Sequence, residues 1–340
     1  MAEELRVRGH EVMLLISRKK VDREGVEKYG ELRFETVEAV AKPATFSLKM
    51  IPFLWRLLRT TLASRKMLKR LGADAVLGMG GFTSLPPVLA GHRLGMKTFV
   101  HDSNALPGKA NRLTARFCTK VLVGLEAAVA HFGGRPTVVT GTPVRKELEE
   151  LPSRADAAAA FGLDPARPVV LVMGGSQGAM RLNRLAPATA ARIKTGAQFL
   201  HIAGGRDEAE VRVEAGGRDG YHVLGFCDRM AEAYGVADLV LSRAGASSMT
   251  ELAHAGLPSI LVPYPYAADD HQTRNAEVFA GAGAAELVQE SDLDEEVLAE
   301  MIDKILGDLP SRERMAKAAR GLAVPDAAAR VGGVIEECCD

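Results

Sequence analysis

Short apolar runs alternate along the chain with segments of helical spacing, and this alternation restricts the fold more than any other feature. The runs read "EVMLLIS", "AVLGMG", "KTFVHD" and "KVLVG", then "VVLVMGG", "QFLHIAGG", "YHVLGF", "DLVLSRAG" and "PSILVPYP". Such runs, separated by helices and closed by glycines, belong to parallel strands covered by helices. The chain also echoes itself. "ADAVLGMGGFTSLPPVLAGHRLGM" (73–96) and "ADLVLSRAGASSMTELAHAGLP" (237–258) share Ala-Asp, an apolar strand, a glycine turn and a small-residue helix in the same order. The expected fold class is therefore α/β, with two doubly wound, Rossmann-like domains, and 340 residues suffice to give each a core. The predicted domains span 1–145 and 146–325, and a helix over 326–340 is placed to pack back on the first. Residues 141–168, with prolines and charges, suit a connector and the start of the second domain. Ligands of open parallel sheets bind beyond the carboxyl ends of the strands, so two domains facing each other would bring these loops to one cleft.

Forty-three basic and 43 acidic residues cancel, which leaves no global field to attract nucleic acid. Cys118, Cys227, Cys338 and Cys339 form no C-x-x-C pair, as fits a reducing cytoplasm. No uninterrupted apolar stretch reaches the roughly 18 residues of a membrane span, and the N-terminus has no signal-peptide pattern. A soluble or peripheral protein is expected.

Several strand-end loops carry chemistry. Gly174-Gly175-Ser176-Gln177-Gly178 follows an apolar strand and opens a helix, so its backbone N–H groups can meet an anion at a helix N-terminus; a tight turn without a ligand has the same composition. The spacing is neither G-x-G-x-x-G nor that of a P-loop. Gly245, Ala246, Ser247 and Ser248 open a second such helix, with Glu251 one turn later. A carboxylate there is suited to accept from two ribose hydroxyls, or to complement the helix dipole. "PYPYAADDHQTRNA" (263–276) gathers Asp269, Asp270, His271, Gln272 and Asn275 in a segment that suits a sugar or simply a solvated loop. Asp292-x-Asp294 opens an acidic helix and reads as capping, so no metal is expected. In the first half "HDSNALPGKANR" holds His101, Asp102, Asn104 and Asn111. Asp102 is either a general base or a helix cap. Arg145 either reaches a phosphate or carbonyl or forms a surface salt bridge.

Residues 39–73 contain eight basic residues and no acid: Lys42, Lys49, Arg56, Arg59, Arg65, Lys66, Lys69 and Arg70. Interleaved with them are Phe46, Met50, Ile51, Phe53, Leu54, Trp55, Leu57 and Leu58. In a neutral chain this concentration beside the single tryptophan points to anionic lipid headgroups, with Phe53, Trp55, Arg56, Arg59, Lys66 and Lys69 as membrane contacts. The alternative is a helix packed on the sheet with a basic outer face.

Three segments in order, "GMGGFTSLPPVLAGHRLGMKTFVHDSNALPGKANR", "MGGSQGAMRLN" and "GFCDRMAEAYGVADLVLSRAGASSMTELAHAGLPSILVPYPYAADDHQTRNA", resemble the MurG family. These are the bacterial transferases that move N-acetylglucosamine from UDP-N-acetylglucosamine (UDP-GlcNAc) to undecaprenyl-pyrophosphoryl-N-acetylmuramoyl-pentapeptide, converting lipid I to lipid II in peptidoglycan synthesis. The likeness runs from near residue 1 to about residue 320. It implies a GT-B glycosyltransferase fold, inverting chemistry without metal or cofactor, and a cytoplasmic enzyme peripheral on the anionic inner leaflet of the cell membrane. It assigns the 174–178 loop to the UDP diphosphate, with Ser176, Gln177 and Gly178 at the nucleotide or its phosphates and Arg145 at the nucleotide. The backbone at Phe226 and Cys227 takes the uracil edge, Glu251 the ribose, and Ala246, Ser247 and Ser248 the phosphates. His271, Gln272 and Asn275 fall at the sugar, with His271 where the family commonly has a glutamine. Asn104 and Asp102 match the family's H-E-x-N segment, with Asp for Glu.

The family begins with a strand and a G-G-x-G-G-H loop, and this chain starts after both: "MAEELRVRGHEVMLLIS" matches the end of the first helix and the second strand. Loss of a central first strand predicts unpaired sheet edges in the first domain. It also removes the expected histidine base, leaves Asp102 as the candidate within the chain, and predicts intact UDP binding with little or no transfer. The expectation is that the start is mis-assigned or truncated. Two other functions remain open: a related UDP-sugar:glycolipid transferase, and a non-catalytic nucleotide-sugar binding protein.

Overall fold

A computed structural model describes residues 1–17, 32–38, 50–174 and 179–340, which form two compact units, 1–143 with 326–340, and 144–325. The division falls between Pro143 and Val144, so Arg145 lies in the second unit.

The first unit runs through α1 (Ala2–Val7), β1 (Met13–Ser17), β2 (Arg33–Val37), α2 (Met50–Leu71), β3 (Ala75–Gly78), α3 (Leu85–Arg93), β4 (Lys97–Asp102), α4 (Lys109–Thr114), β5 (Lys120–Val123) and β6 (Thr137–Val139). Its strands are parallel and form two sheets, β1-β2 and β3-β4-β5-β6. Among the described residues β1 pairs only with β2 and β3 only with β4. The central first strand that the resemblance implies is not among the residues of this chain. The C-terminal helix Ala327–Cys339 belongs to this unit: Val331 and Ile335 share a buried cluster with Phe99 of β4 and Leu122 of β5. Glu336 on that helix accepts from Arg8 Nη1 at 2.8 Å and pairs with His10 Nε2 at 2.9 Å, which ties down the end of α1.

The second unit contains α5 (Arg154–Phe161), β7 (Val169–Met173), α6 (Met180–Ala190), β8 (Gln198–Ile202), α7 (Glu208–Ala215), β9 (Tyr221–Leu224), α8 (Met230–Val236), β10 (Leu239–Ser242), α9 (Ala246–Ala255), β11 (Ser259–Leu261), α10 (His271–Gly281), β12 (Ala285–Leu287), α11 (Glu295–Gly307) and α12 (Leu309–Gly321). Six parallel strands make one sheet in the order β12-β11-β10-β7-β8-β9. The run "VVLVM" of β7 is buried throughout because both faces are covered. Val169, Leu171 and Met173 enter one core with α8, α9 and Phe279 of α10, while Val170 and Val172 enter the other with α6 and α11. Asp294 accepts backbone N–H bonds from Glu296 at 3.0 Å and Val297 at 2.8 Å, so this acid of the D-x-D pair caps α11.

The 73–96 and 237–258 segments occupy like places, β3 with α3 and β10 with α9, each a parallel strand, a glycine turn and a helix. No helix among the described residues is long and apolar enough to cross a membrane.

One buried network in the second unit titrates. His201 on β8 is 0% exposed, with Nε2 3.0 Å from Asn183 Oδ1 and Nδ1 2.8 Å from the Tyr221 hydroxyl. Asn183 spends its NH2 on Ala203 O at 2.8 Å and Asp207 Oδ2 at 3.0 Å. Its carbonyl oxygen therefore faces the imidazole, Nε2 carries the proton, and Nδ1 accepts from Tyr221. Burial lowers the His201 pKa to about 4, against about 6.5 in the unfolded chain. The unfolded state then binds more protons between those values, so stability is fully present above pH 6.5 and falls as the pH drops toward 4. The expected loss at pH 4 is about 3 kcal/mol from this histidine alone. Hydrogen exchange of the β8 and α6 amides at pH 7 and pH 4 reads it, and His201→Gln should remove that share of the slope.

Candidate functional site

The sheet order places a topological switch between β7 and β10. From β7 the chain proceeds outward through β8 and β9, then returns to β10 and continues outward through β11 and β12. Helices on opposite sides leave the crevice beyond these two strand ends open, the usual ligand position in such sheets. Two described segments border it: Gly174 directly after β7 and the Arg243–Gly245 turn after β10. Ser176, Gln177 and Gly178 lie outside the described residues. Ala246, Ser247 and Ser248 form the first turn of α9, whose Gly245 N-cap supplies no side-chain hydrogen bond, so the orphan N–H groups of that turn meet no capping side chain.

Glu251 sits one turn further along α9, with its side chain 18% exposed. Arg145 Nη2 donates to Oε1 at 3.2 Å and the Tyr234 hydroxyl donates to Oε2 at 2.7 Å. Burial, and the carboxylate beside it, push the Tyr234 phenol well above its ordinary range, so it stays a donor. Each carboxylate oxygen thus holds one protein donor and keeps capacity for another. Arg145 makes a salt bridge to the candidate ribose carboxylate itself.

The turn that starts α9 is fixed from below. Asn275, 0% exposed, donates to Ala244 O at 3.0 Å. Arg243, also buried, donates to Val262 O and Pro263 O at 3.1 Å each, pairs with Glu290, and lies 5.6 Å from the Tyr264 ring centroid. These contacts lock the ends of β10 and β11 together. In this structure Asn275 is buried and its amide holds the turn that starts α9 rather than facing an open site. Gln272 accepts the Tyr264 N–H at 2.9 Å, so its NH2 is the group left to offer. His271 Nδ1 donates to Ala268 O at 2.7 Å, which makes Nε2 the acceptor of the neutral ring. After β9, Phe226 is 72% exposed while the Cys227 side chain is buried, leaving only the backbone of Cys227 to a ligand.

With this geometry in place, likeness to known proteins becomes informative. Residues 169–331 match the glycosyltransferase family 28 C-terminal domain, and residues 1–123 match the family's N-terminal domain. The UDP-N-acetylglucosamine--N-acetylmuramyl-(pentapeptide) pyrophosphoryl-undecaprenol N-acetylglucosamine transferase of Halorhodospira halophila is 39% identical over 341 residues, covering 99% of this chain and 93% of the relative. The protein of that name from Synechococcus elongatus is 41% identical over 290 residues, 82% of this chain and 78% of its own. The chain belongs to the MurG family. The crystal structure of Acinetobacter baumannii MurG matches with a TM-score of 0.80 at 28% identity, over 99% of this chain and 94% of that one. The two Rossmann-like units of this chain are those of the GT-B glycosyltransferase fold, with the expected first strand absent from it.

In the first unit of this MurG-family chain the candidate base has another occupation. Asp102 is 3% exposed. Its Oδ1 accepts from Asn104 N at 2.9 Å and Asn104 Nδ2 at 3.1 Å, and its Oδ2 from Gly108 N at 3.1 Å and Asn111 Nδ2 at 2.7 Å. A carboxylate offers about four acceptor sites, and the 104–111 loop takes them all. Asp102 thus organises the loop that carries Asn104, the structural alternative to a general base. His101 beside it is buried, bonded through Nε2 to Gly141 O at 2.8 Å, and held below its ordinary pKa by desolvation.

Within the basic stretch Lys42, Phe46 and Lys49 lie outside the described residues. Along α2, Ile51, Leu54, Trp55, Leu58 and Leu62 are 46–74% exposed. Spacings of three and four put them on one stripe. Arg56, Arg59, Lys66 and Lys69 are exposed too. Phe53 is the correction here: at 7% exposure it points into the unit and meets Phe82 edge-on, centroids 6.0 Å apart, on the face that also buries Thr60, Thr61, Ser64 and Leu68. The exposed apolar stripe of α2 is therefore Ile51, Leu54, Trp55, Leu58 and Leu62, without Phe53.

Sequence reasoning missed Tyr234, Arg243, Asn183 and His201. "AEAYGVAD" offers only a tyrosine in an apolar helix, and its role appears once α8 is laid beside α9.

Proposed function

We propose that this chain transfers N-acetylglucosamine from UDP-GlcNAc to the muramoyl sugar of lipid I, giving lipid II. The observation that carries this reading is 39% identity along 99% of the chain to a transferase of that name. The α9 N-terminus beside the β7/β10 switch supports a place for the diphosphate and Glu251 one for the ribose, and the glycine loop is assigned to the diphosphate from its sequence. Hydrogen bonds from these N–H groups would strengthen as negative charge develops on the UDP leaving group, which lowers the barrier to departure without a metal. Gln272 and His271 offer a donor and an acceptor to the sugar. In the first unit Asp102 fixes the loop that carries Asn104. The acceptor is lipid-linked, and the exposed apolar stripe of α2 with its basic neighbours supports a peripheral position on an anionic cytoplasmic leaflet.

The test is release of UDP and formation of the disaccharide from labelled UDP-GlcNAc and a soluble lipid I analogue, with UDP-glucose and UDP-galactose as competitors. Turnover preferring UDP-GlcNAc supports the proposal. Turnover preferring another UDP-sugar favours the related glycolipid transferase, and UDP-GlcNAc binding without transfer favours the non-catalytic reading.

A further inference from the structure

A carboxylate at the end of a flexible glutamate side chain binds two neighbouring hydroxyls well only if its plane is set before the ligand arrives. Three rotatable bonds separate Glu251's carboxylate from α9, so its orientation must come from what touches it. Two groups do. Arg145 reaches Oε1 at 3.2 Å from a side chain that is 41% exposed. Tyr234 reaches Oε2 at 2.7 Å from a ring that is 1% exposed, within a core that also contains Met173, Met249 and Leu252. The Met173 sulfur, 3.7 Å from the same hydroxyl, is a poor acceptor and does not compete with a carboxylate. The buried phenol has two torsions, both fixed by packing, whereas the arginine must order a long solvated stem.

We propose that Tyr234 is a positioning residue that presets the Glu251 carboxylate for a vicinal diol, so that recognition of the nucleotide ribose depends on a hydroxyl that does not touch it. The inference rests on the assignment of Glu251 to the ribose made above. Tyr234 occupies one acceptor site of Oε2 from the core side and turns the remaining sites of both oxygens toward the ligand. Adjacent ribose hydroxyls then meet two oxygens already in one plane, and no torsional freedom is lost on binding.

The experiment is calorimetry on the full chain and its Tyr234→Phe variant, with UDP and with 2′,3′-dideoxy-UDP. The variant keeps the ring and removes one oxygen. UDP should bind roughly 5- to 20-fold more weakly to it, while the dideoxy ligand should bind both proteins equally. KM for UDP-GlcNAc should rise by the same factor with kcat within about twofold, since chemistry occurs at the sugar. In a Glu251→Ala background Tyr234→Phe should add nothing. Unchanged UDP affinity in the single variant overturns the inference, and so does an equal loss for both ligands, which marks loosening of the fold. If the parent binds UDP and dideoxy-UDP equally, the ribose assignment itself fails and takes this inference with it.

Discussion

Glu251→Ala is expected to weaken binding of UDP and of UDP-GlcNAc alike by roughly 2–4 kcal/mol, about 30- to 1000-fold in Kd. Both ligands carry the ribose, so the loss should be the same for each, whereas a residue acting on the sugar would affect UDP-GlcNAc alone. The substitution removes two charge-assisted acceptors and also strips the buried Tyr234 hydroxyl and Arg145 of their partner. Some loss of stability must therefore be separated from the loss of affinity. Glu251→Gln does this: it keeps an acceptor for Tyr234 and sacrifices the charge, so its melting temperature should lie nearer the parent while UDP affinity still falls. Calorimetry that finds UDP affinity unchanged in Glu251→Ala would reject the ribose assignment.

Reversal of Arg56, Arg59, Lys66 and Lys69 to glutamate should release the protein from vesicles containing anionic phospholipid. Each basic residue near such a surface contributes about 1 kcal/mol, and the four together about 4 kcal/mol before the added repulsion of the new charges. All four are exposed on α2 and none belongs to the second unit, so UDP binding should be untouched. Trp55→Ser should weaken sedimentation by a mechanism insensitive to salt, through lost apolar burial, whereas the charge reversal acts on the component that salt suppresses. Phe53→Ser should act differently from Trp55→Ser, destabilising the first unit because that ring is buried against Phe82. Equal sedimentation of the charge-reversed protein and its parent would mean that the basic face of α2 is merely solvated.

Strand runs that are continuously apolar were legible from composition. β4, β5, β7, β8 and β10 are buried along nearly their whole length, so most of their positions are apolar, and buried polar exceptions such as Asp102 and His201 are hydrogen-bonded. The strands that escaped are β2, β6 and β12, read as "RFETV", "TVV" and "AEL". β6 and β12 are three-residue strands at sheet edges, and Arg33, Glu35 and Thr36 break any apolar run in β2. Short or half-exposed strands carry too few buried positions to show a period.

The same contrast governs the site. Glycine turns, small-residue helix starts and Glu251 one turn later are local patterns within one strand–turn–helix, so the chain order alone gives them. Whether a polar residue in such a loop faces ligand or protein is decided by neighbours far along the chain. Asp102 and Asn275 look like Asn104 and Gln272 in sequence, yet four donors enclose the first and Ala244, 31 residues away, takes the amide of the second. Tyr234 meets Glu251 because α8 lies beside α9, and Phe53 is buried because it lies on the inward face of α2 while Leu54 and Trp55 stay exposed. Local pattern determined the fold class, the order of the elements and the loops that bind; hydrogen-bond partners brought together by packing decided which residues remain available, because a polar group is free for a ligand only where the folded protein has not already satisfied it.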